Sequence, residues 1–118
     1  MITVIIPALN EEATIDFVVR LSIQSENVTE VIVVDDKSMD NTITEARQAG
    51  ATVITSTKLG KGASMKDGVL VTKNDIIVFL DADITTYPSN IIALLTEPII
   101  ERRADFVKSY FSRQAGRV

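Results

Sequence analysis

The stretch IIVFLDADITTYP (residues 76–88) starts as an unbroken apolar run and stops in two aspartates separated by one alanine. An apolar run with no polar alternation fits a strand buried on both faces, and such strands belong to parallel sheets. The two carboxylates at its end need neutralisation if they are to stand at the rim of a sheet. Three other stretches share this design. ITVIIP (2–7) is short, β-branched and stopped by a proline; EVIVVDD (30–36) again ends in a carboxylate pair; ATVITST (51–57) runs into hydroxyls and then a lysine.

Between these strands the apolar residues return at helical spacing. Ile15, Val18, Val19 and Ser22 share one face of a first helix, for which Asn10 is a candidate cap with Glu11 and Glu12 in the first turn. Ser38 is a candidate cap for a second helix that Gly50 would end. LGKGAS opens a third helix, expected to run to about Thr72. A fourth is expected with Pro88 in its first turn, Ile91, Leu94 and Leu95 on one side, and Pro98 ending or kinking it. ADFVKSYF (104–111) reads as a last strand. Buried strands alternating with amphipathic helices give an α/β fold with a mainly parallel sheet covered on both faces, a three-layer α/β/α arrangement.

Composition narrows the classes. With 118 residues the chain is expected to form a single α/β domain, 1–118. A formal net charge of −4 argues against a broad basic surface for nucleic acid. No apolar run reaches the ~20 residues of a membrane span, and the N-terminus lacks the basic start of a signal peptide. There is no cysteine, which fits a cytoplasmic protein. There is no histidine either, so any acid or base here is a carboxylate, a lysine or a tyrosine, and no catalytic base is assigned.

Open parallel sheets bind ligands beyond the carboxyl ends of their strands. There the sequence places PALNEE, DDKS, STKLGKG and DAD. Asp81 and Asp83 are hard oxygen donors suited to magnesium or manganese, or else caps of the next turn through Thr85 and Thr86. Lys61, between two glycines at a helix start, is placed to meet phosphate or is an ordinary solvated turn lysine. Asp35 and Asp36 are placed as ribose-binding acids are, or cap the following helix. No G-x-G-x-x-G follows the first strand, which disfavours a nicotinamide or flavin cofactor.

VIIPALNEEATI, VIVVDDKSMDNT, GKGASMKDG and DIIVFLDADITTYP, in this order, resemble the nucleotide-sugar-binding half of GT-A (nucleotide-diphospho-sugar transferase type) glycosyltransferases of the family 2-like group. The resemblance implies a metal-dependent glycosyltransferase using a UDP- or GDP-sugar with Mg2+ or Mn2+. It places Pro7, Ala8, Leu9 and Glu11 at the nucleoside, and Asp36 with Asp35 at the uridine. Lys61 falls at the nucleotide, Asp81 with Ala82 at the ribose and metal region, and Asp83 becomes the principal metal ligand. The tail DFVKSYFSRQAGRV is similar to a stretch in the glucosyl-3-phosphoglycerate synthase group, which moves glucose to 3-phosphoglycerate with retention. That likeness implies a small phosphorylated acceptor met by Arg117. In that group a later histidine completes the metal site, so this sequence is expected to be the N-terminal part of a longer protein.

Other classes share parts of this pattern. A polyprenyl-phosphate glycosyltransferase shares the early blocks, whereas a nucleotidyltransferase would carry a glycine- and arginine-rich first loop that PALNEE does not provide. A non-catalytic nucleotide-binding or receiver-like module would hold magnesium alone, but a receiver needs an aspartate where the third strand ends in TSTK. An incomplete sheet edge also leaves room for a homodimer.

Overall fold

The computed structural model describes residues 1–101. The candidate last strand and Arg117 lie outside the described residues. Four parallel strands, β1 (Ile2–Ala8), β2 (Val28–Asp35), β3 (Thr52–Thr55) and β4 (Ile76–Phe79), form one sheet in the order β3-β2-β1-β4. Helices α1 (Ile15–Gln24), α2 (Thr42–Ala49), α3 (Lys61–Val71) and α4 (Ile91–Ile100) fill the connections.

The strands are apolar on both sides because both sides are covered. Ile2, Val4 and Ile6 of β1 pack with Val31 and Val33 of β2 against Val18 and Val19 of α1, Ala46 of α2 and Ile91, Ile92 and Leu95 of α4. On the opposite face Ile5, Ile32 and Val34 form a smaller cluster. Helix α3 covers it and comes very close: a Cβ on Gly68 would stand 2.6 Å from Ile5 Cγ2 and 3.3 Å from Val34 Cγ2. Only glycine permits that approach, and Gly68 is therefore a packing position. The three layers are helix, sheet, helix.

Several local expectations change. Asn10 does not cap α1; it takes a left-handed φ of 53°, and Thr14 is the N-cap. A turn built on the Glu11 carbonyl, which accepts from Thr14 and Ile15 N–H at 3.1 and 2.9 Å, separates the two. Asn41 rather than Ser38 precedes α2, while Gly50 ends it in the left-handed conformation with φ 112°. Pro88 lies before the Asn90 N-cap of α4 and offers its carbonyl to Ile91 N–H. Helix α4 continues past Pro98 to Ile100, and Leu94 faces outward while Ile92 takes the inner position. Among the described residues no helix is long and apolar enough to cross a membrane.

The amino ends of the strands are tied by a polar network. Glu30 accepts hydrogen bonds from the Thr3 hydroxyl at 2.7 Å, Lys73 N–H at 3.0 Å and the Thr72 hydroxyl at 3.1 Å. Burial opposes ionisation of Glu30, but these three donors, Thr3 first, together hold its carboxyl below the ordinary glutamate value of 4.5. A lowered folded-state pKa means stability that is fully present above 4.5 and lost as pH falls through the folded value. Urea midpoints measured between pH 7 and about pH 3 are therefore expected to fall less steeply at the acid end for Glu30→Gln than for the wild type. Parallel profiles would remove Glu30 from the acid response.

Candidate functional site

A cavity of about 290 Å³ opens at the carboxyl ends of the strands. Pro7, Ala8, Leu9 and Glu11 line it from the end of β1, and Asp36 from the end of β2. Gly60, Lys61 and Ser64 enter from the start of α3, and Asp81, Ala82 and Asp83 from the end of β4. The segments singled out in the sequence thus meet in one place.

Asp36 continues the ladder past β2, its N–H donating to the Ala8 carbonyl at 2.8 Å. Asp36 is 9% exposed; its Oδ2 accepts the Gly60 N–H at 3.1 Å, and Oδ1 is buried with no hydrogen-bond partner among the described residues. Asp35 does not line the cavity. Side chains alternate along a strand, so it turns from the face Asp36 uses, and its Oδ2 accepts Ser38 N–H at 2.9 Å to shape the following loop.

Cross-braced loops hold the walls. Asn10 N–H donates to Ser38 Oγ at 2.9 Å while Met39 N–H donates to Asn10 Oδ1 at 2.8 Å. Glu11 N–H reaches Thr42 Oγ1 at 2.8 Å, and Asn41 N–H reaches Glu12 Oε2 at 3.0 Å. The Thr42 hydroxyl is the main reason that the Asp40 carboxyl lies below its ordinary range. The third wall is strapped by Asp67, which accepts Thr57 N–H at 2.7 Å and the Thr57 hydroxyl at 3.0 Å. That backbone bond is the largest influence holding the Asp67 carboxyl down, and it anchors the loop carrying Gly60 and Lys61.

Beyond β4 the chain is held so that its carboxylates face the cavity. Asp81 N–H donates to Tyr87 Oη at 2.9 Å, and the Thr14 hydroxyl donates to the Ala82 carbonyl at 2.8 Å. The Lys61 ammonium pairs with Asp81 Oδ1. A cation therefore already sits against this carboxylate. Among the described residues no three histidine, cysteine or acidic side chains converge on a metal position. The donor set nonetheless fits magnesium or manganese, which are commonly held by one or two carboxylates and completed by substrate phosphate and water. Asp81 and Asp83 are the two carboxylates at this rim that would hold it.

Ser64 is a lining residue that the sequence does not single out, and Gly60, one of the two glycines flanking Lys61, lines the cavity with it. Ser64 is 1% exposed and its Oγ has no hydrogen-bond partner among the described residues. A signal was present: it precedes Gly68 by four positions, one helical turn closer to the strand ends.

The parallel three-layer fold is that of the GT-A class of nucleotide-diphospho-sugar transferases, and the cavity at its carboxyl rim is acidic and lysine-bearing. The profile of Glycosyl transferase family 2 matches residues 3–115, and the chain belongs to that family. Glucosyl-3-phosphoglycerate synthase of Mycobacterium tuberculosis is 32% identical over 123 residues, covering 95% of this chain and 38% of that protein. The 4,4'-diaponeurosporenoate glycosyltransferase of Staphylococcus aureus is 40% identical over 90 residues, covering 71% of this chain and 24% of that one. Among solved structures, the M. tuberculosis synthase in complex with Mn2+, UDP-glucose and phosphoglyceric acid superposes with a TM-score of 0.78 at 33% identity, over 84% of this chain and 39% of that chain. The same enzyme with Mg2+ and UDP gives 0.77 at 34% identity, over 84% and 39%. The chain thus spans 38% of the length of the curated synthase it matches.

Proposed function

We infer that this chain is the donor-binding part of a metal-dependent glycosyltransferase that takes glucose from UDP-glucose to 3-phosphoglycerate or a related small phosphorylated acceptor, in the cytoplasm. One observation carries the reading. Asp36 and the Asp81–Asp83 pair line one cavity but follow strands β2 and β4, with β1 between them. Two strand spacings are about 10 Å, a span that suits a nucleoside with its base at one end and its diphosphate at the other.

Charge decides the orientation. Asp36 repels phosphate and accepts an N–H, so the base belongs at that end. Lys61, together with Asp81 and Asp83 as ligands of a divalent cation, makes the opposite end the place for the diphosphate. A cation held there supplies neutralisation of the charge that grows on the departing UDP. Within this chain, Lys61 binds the diphosphate and the braced loops keep the carboxylates aimed. Leu9 and Pro7 offer apolar surface to the nucleoside. The acceptor is proposed from the synthases because their match runs over 95% of this chain, whereas the 4,4'-diaponeurosporenoate glycosyltransferase matches 71%. Arg117 is proposed to meet the acceptor's phosphate.

The test is thermal unfolding of the protein with manganese, with and without UDP. Saturating UDP with manganese is expected to raise Tm by about 5 °C or more. A rise with magnesium alone and none with UDP would replace this reading with a metal-binding module.

A further inference from the structure

We propose that Ser64 is a specificity-determining residue that donates a hydrogen bond to a carbonyl oxygen of the nucleobase, beside an N–H contact to Asp36. This rests on the UDP-binding reading above and goes on to say how the base is read.

The fold places the two groups together. Gly68 of α3 packs over Ile5 and Val34, on the α3 face of the sheet. Four residues earlier in a helix is one turn back, and two residues further along a strand is the next position on the same face. Ser64 therefore lies over the next same-face pair, Pro7 and Asp36, and all three line the cavity. Both residues are more than nine-tenths buried, with exposures of 1% for Ser64 and 9% for Asp36. Both residues line the cavity, and each carries a buried atom with no hydrogen-bond partner among the described residues, Ser64 Oγ and Asp36 Oδ1. A buried polar atom left unpaired costs about 1–3 kcal/mol, so a pair of them in one cavity signals a ligand that satisfies both.

Their chemistry is complementary. Asp36 Oδ1 can only accept, while the Ser64 hydroxyl can donate. The matching ligand edge carries an N–H next to a C=O, and the imide edge of uracil is such an edge. Asp36 Oδ2 is already engaged by Gly60 N–H. One acceptor atom remains, which suits the single imide N–H of uracil better than the paired N–H groups of guanine. Phosphate is an unsuitable occupant beside this carboxylate, and the Lys61–Asp81 side of the cavity is better placed for it.

Calorimetry on the protein in manganese tests this with four probes: UDP, ribose 5-diphosphate, 2-thio-UDP and 4-thio-UDP. Thiocarbonyls accept hydrogen bonds poorly. In the wild type, one thio analogue is expected to bind about fivefold more weakly than UDP. Ser64→Ala should raise the Kd of UDP about tenfold, erase the thio penalty, and leave ribose 5-diphosphate within about twofold. The free variant should melt no lower than the wild type, because an unpaired buried hydroxyl is removed and alanine favours the helix. Equal weakening of UDP and ribose 5-diphosphate, a thio penalty that persists in Ser64→Ala, or unchanged UDP affinity with a lower Tm would each overturn the assignment while leaving the UDP reading intact. A wild type that binds none of the probes would overturn both.

Discussion

Asp83→Ala is expected to abolish the manganese-dependent part of UDP affinity and to lower sugar transfer by at least ~100-fold, with Tm of the free protein little changed. The fold is spared because the Asp83 side chain is exposed at the cavity rim rather than packed in the core. The chemistry suffers because the cavity's other acid at this rim, Asp81, is engaged by Lys61 and cannot alone outweigh the repulsion between diphosphate and carboxylate. The check is a manganese titration at fixed UDP, read by calorimetry, alongside initial transfer rates. A wild-type manganese response in the variant would remove Asp83 from the metal site. The comparison with Lys61→Met is informative. Losing the ammonium should weaken UDP with and without manganese, whereas losing Asp83 should matter only with it.

The architecture could be read from the sequence because its strands are buried on both faces. Residues such as Val4, Ile5 and Ile6 leave no polar side of a strand to misplace, and each run stops in a proline, carboxylates or hydroxyls in place of further aliphatic residues. The rim was legible for the same reason: Asp36, Lys61, Asp81 and Asp83 follow directly from where the apolar runs end. Helix ends were less legible. Asn10 and Ser38 are good capping residues by type, but they hydrogen-bond across two loops that are far apart in sequence and adjacent in space. Only the parallel pairing of β1 with β2 brings those loops together. Ser64 escaped for a different reason. The inner face of α3 is made of small residues, Ser64 and Gly68, while Val69, Leu70 and Val71 are exposed, so the usual apolar stripe is missing from the side that packs. Closeness to the sheet, not hydrophobicity, marks that face.

With the base at the β2 end of the cavity, as proposed, Asp36 is expected to be the most sensitive position for choice of base. In Asp36→Asn the Gly60 N–H still requires an acceptor, so the amide oxygen is held on Gly60 and the NH2 group takes the place of Oδ1. A position that could only accept now only donates. The imide N–H of uracil then meets another N–H, while the ring nitrogen of cytosine, an acceptor at the same place, finds a partner. Each such match or mismatch is worth about 1–3 kcal/mol, and the substitution loses one and gains the other. The ratio of UDP to CDP affinity is therefore expected to fall by ~100-fold or more, with binding of ribose 5-diphosphate and the manganese response retained. Calorimetry with the two nucleotides in excess manganese measures the ratio directly, and Tm confirms that the Gly60 bond still holds the loop. If Asp36→Asn keeps the wild-type preference, the base does not lie at the β2 end of the cavity, and the diphosphate cannot then be assigned to the β4 end by difference.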